Sequence, residues 1–109
     1  MTLNKIAKQS YRDAKKRERN GAFINTSTLA LLKHTATEVI EATDAYTTFT
    51  FSKSLDELEA HSKQFASELA DIICCVAIIA EAEDIDLDRA VADCLKKNHA
   101  RAEGKGDKK

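Results

Sequence analysis

ELADIICCVAIIA, the stretch from Glu68 to Ala80, decides the fold of this chain. Glu68 and Asp71 are three residues apart, so both carboxylates lie on one side of a helical turn. The residues that follow are apolar in every direction around a helix, which predicts a buried helix. Because a buried charge without a partner is costly, the sequence requires something positive to face these two acids.

The composition indicates one all-α domain. A chain of 109 residues buries only about two-thirds of its unfolded surface, so a helix that is apolar all round needs cover from partner chains. The chain has no Pro and three Gly, which favours long helices joined by short loops. We therefore predict a four-helix bundle that oligomerisation completes, with a helical domain over residues 1–104 and a flexible basic tail over 105–109.

Several classes of protein are disfavoured by local patterns. The apolar run at residues 72–80 is too short to cross a bilayer, and the N-terminus lacks the apolar core of a signal peptide, so we predict a cytoplasmic protein without membrane contact. The three cysteines show no CxxC spacing, which argues against a zinc site or a disulfide framework.

Charge is segregated along the chain. Residues 1–20 and 96–109 are mostly basic, whereas residues 21–95 carry fourteen acids against four basic residues. Basic ends around an acidic middle have three possible explanations: binding of a nucleic acid, binding of an anionic small substrate at a metal site, or a charged surface that keeps the protein soluble. The chain lacks Trp, has few aromatic residues and shows no recognition-helix signature, so nucleic-acid binding is the least favoured of these.

Capping and turn residues divide the chain into helices. The first is predicted over residues 3–19 and ends at Asn20-Gly21. Asn25 or Thr26 caps a second helix, which is predicted to end at Tyr46 or Thr47 and to be followed by a loop or short extended edge, TTFTFSK, at 47–53.

The second half of the chain contains the clearest start signals. Ser54 with Glu57 forms a capping box that opens a third helix reaching about Glu83. Asp84 occupies the following turn, and Asp86 caps a fourth helix. Its predicted inward residues are Leu87, Ala90, Val91, Cys94 and Leu95.

The second helix has two distinct stripes at helical spacing. The predicted core-facing stripe consists of Leu29, Leu32, Ala36, Val39, Thr43 and Tyr46, and the other consists of His34, Glu38, Glu41 and Ala45. Lys33 falls between the stripes. We assign His34, His61 and His99 to packing or to the surface.

Two helices each present a pair of acids at i, i+3, namely Glu38 with Glu41 and Glu68 with Asp71. Acid pairs at this spacing also occur on solvated helix faces, but four carboxylates converging in a bundle suit a hard divalent cation. Mg²⁺ prefers oxygen ligands and completes its shell with water or substrate phosphates. A di-iron bundle instead uses Glu-x-x-His on two helices, and no His occupies those positions here. Mg²⁺, or Mn²⁺, is the better fit.

The ordered motifs EVIEA at 38–42, ELADII at 68–73, DIDLDRAV at 84–91 and KKN-x-x-R at 96–101 resemble those of the MazG-like nucleoside triphosphate pyrophosphohydrolases. The resemblance covers residues 3–104. It implies a four-helix unit that forms homodimers or homotetramers and hydrolyses a nucleoside triphosphate, a (d)NTP, to the monophosphate and pyrophosphate with Mg²⁺.

The resemblance also implies roles for individual residues. Glu38, Glu41, Glu68 and Asp71 match the acids that bind the metal and carry catalysis. The implied substrate contacts are Lys97, Asn98 and Arg101, with Lys33 as a weaker phosphate contact.

Two departures from the family pattern stand out. Many members have an acid where this chain has Thr37, and most have Gly where it has Asp84. The first departure leaves a second function open, a non-catalytic helical oligomer of the same fold that binds nucleotides or a protein. Base and sugar preference and metal number are not fixed by the sequence.

Overall fold

The computed structural model describes residues 2–21, 26–51 and 53–105. They form four helices, α1 (Leu3–Arg19), α2 (Thr28–Thr50), α3 (Leu55–Ala82) and α4 (Leu87–Ala102), and contain no strand. The all-α fold is thus confirmed. Most of the predicted tail, 106–109, lies outside the described residues. None of the described helices has the length and apolar character needed to cross a membrane.

The helix ends follow the capping residues closely. Ser54 Oγ accepts a hydrogen bond from the Glu57 amide, and an Asp86 carboxylate oxygen accepts one from the Arg89 amide, each at 3.1 Å. Asp84 turns the chain with a φ of 55°, in the left-handed region that Asp tolerates better than most residues. The predicted limits of α1, α3 and the start of α4 are therefore confirmed.

The limits of α2 differ from the prediction at both ends. Thr26 does not cap the helix, because it is buried and its hydroxyl donates to Glu18 Oε2 at 2.8 Å. Ser27 caps it instead, accepting from the Ala30 amide at 3.3 Å; Asn25 lies outside the described residues.

The predicted loop at 47–53 is wrong for residues 47–50, which continue α2. The threonine hydroxyls in this turn donate to backbone carbonyls three or four residues earlier, for example Thr47 to Thr43 at 3.0 Å. Such bonds let β-branched residues that suggest a strand remain in a helix.

Helices α2 and α3 form an antiparallel hairpin. The Thr28 hydroxyl donates to Glu83 Oε2 at 2.6 Å at one end, and the Tyr46 and Phe65 rings lie 5.3 Å apart toward the other. This register places the middle of α2 opposite the middle of α3, which brings the two acidic motifs together.

Helix α1 packs on α3, and its start is bonded to the start of α4. The Asn4 side chain donates to Asp86 and accepts from the Leu87 amide, both at 2.8 Å. The Asp88 carboxylate in turn accepts from the amides of Leu3 at 2.9 Å and Asn4 at 3.3 Å. The two helix N-termini therefore cap each other.

The buried apolar residues of the described chain are mostly small: Ala7, Ala14, Leu31, Ala42, Cys75, Ala77 and Ala80. The prediction that residues 72–80 are buried on all sides is wrong within one chain, since Ile73 is 53% exposed and Val76 is also exposed. Small residues allow α3 to approach its neighbours closely on one side, while Ile73 and Val76 are exposed on the other.

The predicted core stripe of α2 is also wrong within one chain. Its large members, Leu29, Leu32, Val39 and Tyr46, are exposed, and the face that carries Leu31, Glu38 and Ala42 contacts α3 instead. Helix α4 has no fully buried residue; of its predicted inward residues, Leu87 and Val91 are half-buried, whereas Ala90, Cys94 and Leu95 are exposed. The apolar stripes therefore face outward.

Candidate metal centre

The interface between α2 and α3 contains a cluster of carboxylates. One oxygen from each of Glu38, Glu41 and Glu68 lies within 4.8 Å of the other two. Two of these acids come from α2 at i, i+3 spacing, and the third comes from α3 through the antiparallel register of the hairpin. The structure thus brings together three of the four acids expected at the site.

The inner members of the cluster are Glu38 and Glu68, each of which has one engaged and one free oxygen. Glu38 Oε1 lies 3.1 Å from His34 Nε2, and Glu68 Oε1 accepts a hydrogen bond from Gln64 Nε2 at 2.7 Å. The Oε2 atoms of both residues are buried and have no hydrogen-bond partner. Two buried oxygens without donors are costly unless a cation, a proton or a water molecule meets them.

The outer acids are Glu41 and Asp71, which are both exposed. Asp71 is not one of the three residues whose oxygens converge, but its charge contributes to raising the pKa of Glu38. It therefore lies near the cluster, on its exposed edge.

Burial is the main reason why the pKa of Glu38 is raised above its ordinary value. The charges of Glu41, Asp71 and Glu68 raise it further, while His34 opposes the change. The cluster without a cation is consequently a region of concentrated negative charge, in which Glu38 accepts a proton more readily than an isolated glutamate does.

Cys75 lies one turn beyond Asp71 on α3, and the pKa of its thiol is raised, first by burial and then by the charge of Glu38. A raised pKa keeps the sulfur protonated, and a protonated thiol is a poor metal ligand. The donor atoms offered by this site are therefore carboxylate oxygens.

The donor set fits a hard divalent cation. Ligand oxygens on opposite sides of a Mg²⁺ ion are about 4.2 Å apart, given bonds of ~2.1 Å. At least two pairs among three such oxygens must be adjacent, at about 3.0 Å, so the oxygens that lie within 4.8 Å of one another must move closer together to hold one ion. A di-iron site has His three residues after Glu on two helices. In this chain those two positions hold Glu41, after Glu38, and Asp71, after Glu68.

The predicted substrate contacts lie on two helices, with Lys97, Asn98 and Arg101 on α4 and Lys33 on α2. Lys97 and Asn98 are exposed on α4, whose main neighbour in the chain is α1. Asn98 donates to Cys94 Sγ on its own helix at 3.6 Å. Arg101 is half-buried near the end of α4, and Lys33 is exposed on α2.

His34 and Gln64 are the residues at this site that sequence reasoning missed. His34 was assigned to packing or the surface, and Gln64 was given no role. The signal was available, because each stands four residues before an inner acid on the same helical stripe.

Comparison with known proteins identifies one family. The model of the MazG nucleotide pyrophosphohydrolase domain matches residues 25–104, well over half of the chain. The matched region contains α2, α3 and α4, and therefore every acid of the cluster. Searches of curated proteins and of solved structures found no significant match.

Proposed function

Because this chain belongs to the MazG nucleotide pyrophosphohydrolase family, we propose that it hydrolyses a nucleoside triphosphate, a (d)NTP, to the monophosphate and pyrophosphate with the help of Mg²⁺. The observation that carries the proposal is the pair of buried, unpartnered Oε2 atoms of Glu38 and Glu68 at the α2–α3 interface. Mn²⁺ is expected to substitute, since it also prefers oxygen ligands.

Glu38, Glu41 and Glu68 would hold the cation, and Asp71 would join them from the exposed edge of the cluster. When bound, the cation neutralises phosphate charge and makes a water molecule more acidic. The surrounding carboxylates orient the attacking water, and one of them accepts its proton. The apolar residues behind Glu68 and Asp71 hold this part of α3 rigid, which keeps the acids at a fixed spacing.

The basic residues supply the opposite charge for the substrate. A triphosphate is repelled by four acids, so cationic side chains are needed on its outer side. We assign this role to Lys97 and Arg101, with Asn98 as a hydrogen-bond donor and Lys33 as a further phosphate contact. The support is their charge and the family match, which includes α4.

A homodimer or homotetramer is the assembly we propose. The exposed apolar side chains of α2 and α3 include Leu29, Leu32, Ile40, Leu69 and Ile73. A single chain leaves them in water, and a second copy that presents the same stripes would cover them. Sedimentation equilibrium tests this assembly, and a single monomeric species at micromolar concentration would contradict it.

Product analysis over a panel of nucleotides tests the reaction. The purified protein is incubated with each ribo- and deoxyribonucleoside triphosphate in Mg²⁺, and the products are separated by anion-exchange chromatography. We expect a monophosphate and pyrophosphate in equal amounts from at least one substrate. Release of a diphosphate with orthophosphate, or no product from any nucleotide, would refute the proposal.

Thr37 supports a second candidate function, a non-catalytic oligomer that binds nucleotides or a protein. This residue stands where many family members have an acid, and its hydroxyl donates to the Lys33 carbonyl at 3.3 Å instead of entering the cluster. Calorimetric titration with Mg²⁺ separates the two candidates. A protein without a cation site releases no binding heat at millimolar Mg²⁺, whereas the proposed hydrolase does.

A further inference from the structure

We infer that His34 and Gln64 are positioning residues, which fix the inner carboxylates of Glu38 and Glu68 so that one oxygen of each stays directed at the cation site. The inference rests on the proposed function, because it assigns these two side chains to the support of that site. Neither residue contacts the cation or the substrate.

The same arrangement occurs independently on both helices. On α2, His34 Nε2 lies 3.1 Å from Glu38 Oε1; on α3, Gln64 Nε2 donates to Glu68 Oε1 at 2.7 Å. Each nitrogen comes from the residue four positions before the acid, and each leaves the Oε2 atom buried and without a hydrogen-bond partner. Two nitrogens that engage Oε1 and leave Oε2 free set the orientation of both carboxylate planes.

The outer acids lack this support. The residue four positions before Glu41 is Thr37, and its hydroxyl donates to a backbone carbonyl. Ser67 stands four positions before Asp71, and no hydrogen bond to the Asp71 side chain is found in the part of the chain that the structure describes. Only the two inner acids are held, which leaves the outer two free to follow a substrate.

The carboxylate of the His34–Glu38 pair is more buried than those of ordinary pairs on a helix surface, whereas the Gln64–Glu68 hydrogen bond is exposed and only the Glu68 Oε2 atom is buried. Lys63 and Glu59 on α3 are also four residues apart, at 3.4 Å, but their side chains are 78% and 69% exposed. The Glu38 side chain is only 12% exposed. A buried carboxylate exchanges few hydrogen bonds with water, so the neighbouring nitrogen decides its orientation. Partners of this kind typically change metal affinity by about 10- to 100-fold when they are removed.

Mn²⁺ binding to the nucleotide-free protein tests the inference without reference to activity. The free ion is measured by electron paramagnetic resonance for the wild type and for His34→Ala, Gln64→Ala, His34→Gln and Gln64→His. The last two variants retain a side-chain nitrogen able to donate. Lys63→Ala is the matched control, because it removes an i, i+4 pair from α3 outside the cluster.

We expect each alanine variant to bind Mn²⁺ about 10-fold or more weakly, while His34→Gln and Gln64→His remain within about threefold of the wild type. Lys63→Ala binds as the wild type does. Thermal unfolding in EDTA verifies that the variants are folded. If an alanine variant unfolds, the Mn²⁺ affinities of His34→Gln and Gln64→His test the positioning role instead.

The outcomes separate the inference from the proposed function. Wild-type Mn²⁺ affinity in both alanine variants would overturn the positioning role and leave the cation site in place. The role would also be overturned if the donor-retaining variants lose as much affinity as the alanine variants. A wild type that binds no Mn²⁺ would overturn the cation site, and the inference with it.

Discussion

Replacing Glu68 with Gln should stabilise the protein when no divalent cation is present. The substitution removes one of three negative charges whose oxygens lie within 4.8 Å of one another, and the Gln64 side chain can still donate to the new amide oxygen. Two unit charges at 4.8 Å repel by ~3.5 kcal/mol at an effective dielectric constant of about 20 and by ~0.9 kcal/mol in water. We expect the free energy of unfolding to rise by about 1–3 kcal/mol at neutral pH.

The assay is thermal unfolding in EDTA at one fixed protomer concentration, because the stability of an oligomer depends on concentration. For a chain of this size, each kcal/mol raises Tm by about 4–8 °C. Glu59→Gln is the matched control, since Glu59 lies exposed on the same helix, and its Tm should change little. In saturating Mg²⁺ the wild type gains about 2.7 kcal/mol at 100 times Kd, so the advantage of the variant shrinks or reverses.

The pH dependence provides an internal check with a defined sign. The pKa of Glu38 is raised above its ordinary value of 4.5, so the folded protein binds this proton more firmly than the unfolded chain does. The stability of the cation-free wild type therefore rises as the pH falls through the raised pKa toward 4.5. The advantage of Glu68→Gln should decline over the same window. A variant that is less stable than the wild type in EDTA would refute the reasoning and mark Glu68 as a structural residue.

Three further substitutions test other parts of the structure. Asp71→Asn should reduce hydrolysis by more than the ~10- to 100-fold expected for a residue that only supports a metal ligand, and it should leave Tm unchanged. A variant with normal turnover would exclude Asp71 from the site. Asn4→Ala removes the side-chain hydrogen bonds that join α1 to α4 and should lower the free energy of unfolding by about 1–3 kcal/mol. The control Gln9→Ala removes an exposed hydrogen bond to Asp13 and should lower it by less than about 0.5 kcal/mol. Equal losses of Tm in the two variants would contradict the view that the N-termini of α1 and α4 cap each other. Ile73→Glu places a charge on an exposed apolar stripe and should yield monomers by sedimentation, and an unchanged oligomer mass would place the interface elsewhere.

Local chemistry made most helix limits predictable from the sequence. The capping interactions of Ser54 and Asp86, and the left-handed turn at Asp84, depend only on residues within one turn of them. The end of α2 was missed because Thr47 and its neighbours favour strands in isolation. Their hydroxyls satisfy the preceding carbonyls, which a propensity argument does not include.

The packing faces were harder to predict. Helical periodicity shows that α2 has an apolar stripe and an acidic stripe, but not which of them meets α3 in the same chain. Hydrophobicity pointed to Leu32 and Val39, whereas the structure packs the stripe of Leu31, Glu38 and Ala42 on α3. A lone chain would not favour burial of acids over burial of leucines. The choice becomes understandable if a cation neutralises the acids and another chain covers the leucines.

The acidic residues of the cluster were predicted from their spacing, because i, i+3 pairs must share a helix face whatever the tertiary structure. The supporting roles of His34 and Gln64 were not predicted, because a hydrogen-bond donor four residues before an acid is common on exposed helices. Burial of the Glu38 side chain distinguishes this case, and burial follows from the register of α2 against α3.

Phosphorus NMR of the reaction mixture tests the central claim most directly. Wild-type protein with Mg²⁺ and a hydrolysable nucleoside triphosphate should give the two signals of a monophosphate and pyrophosphate. EDTA, or the Glu68→Gln variant in Mg²⁺, should leave the triphosphate intact while the protein remains folded. Signals of a diphosphate and orthophosphate, or equal turnover by the wild type and a folded Glu68→Gln protein, would contradict the assignment of the α2–α3 carboxylate cluster as the hydrolytic centre.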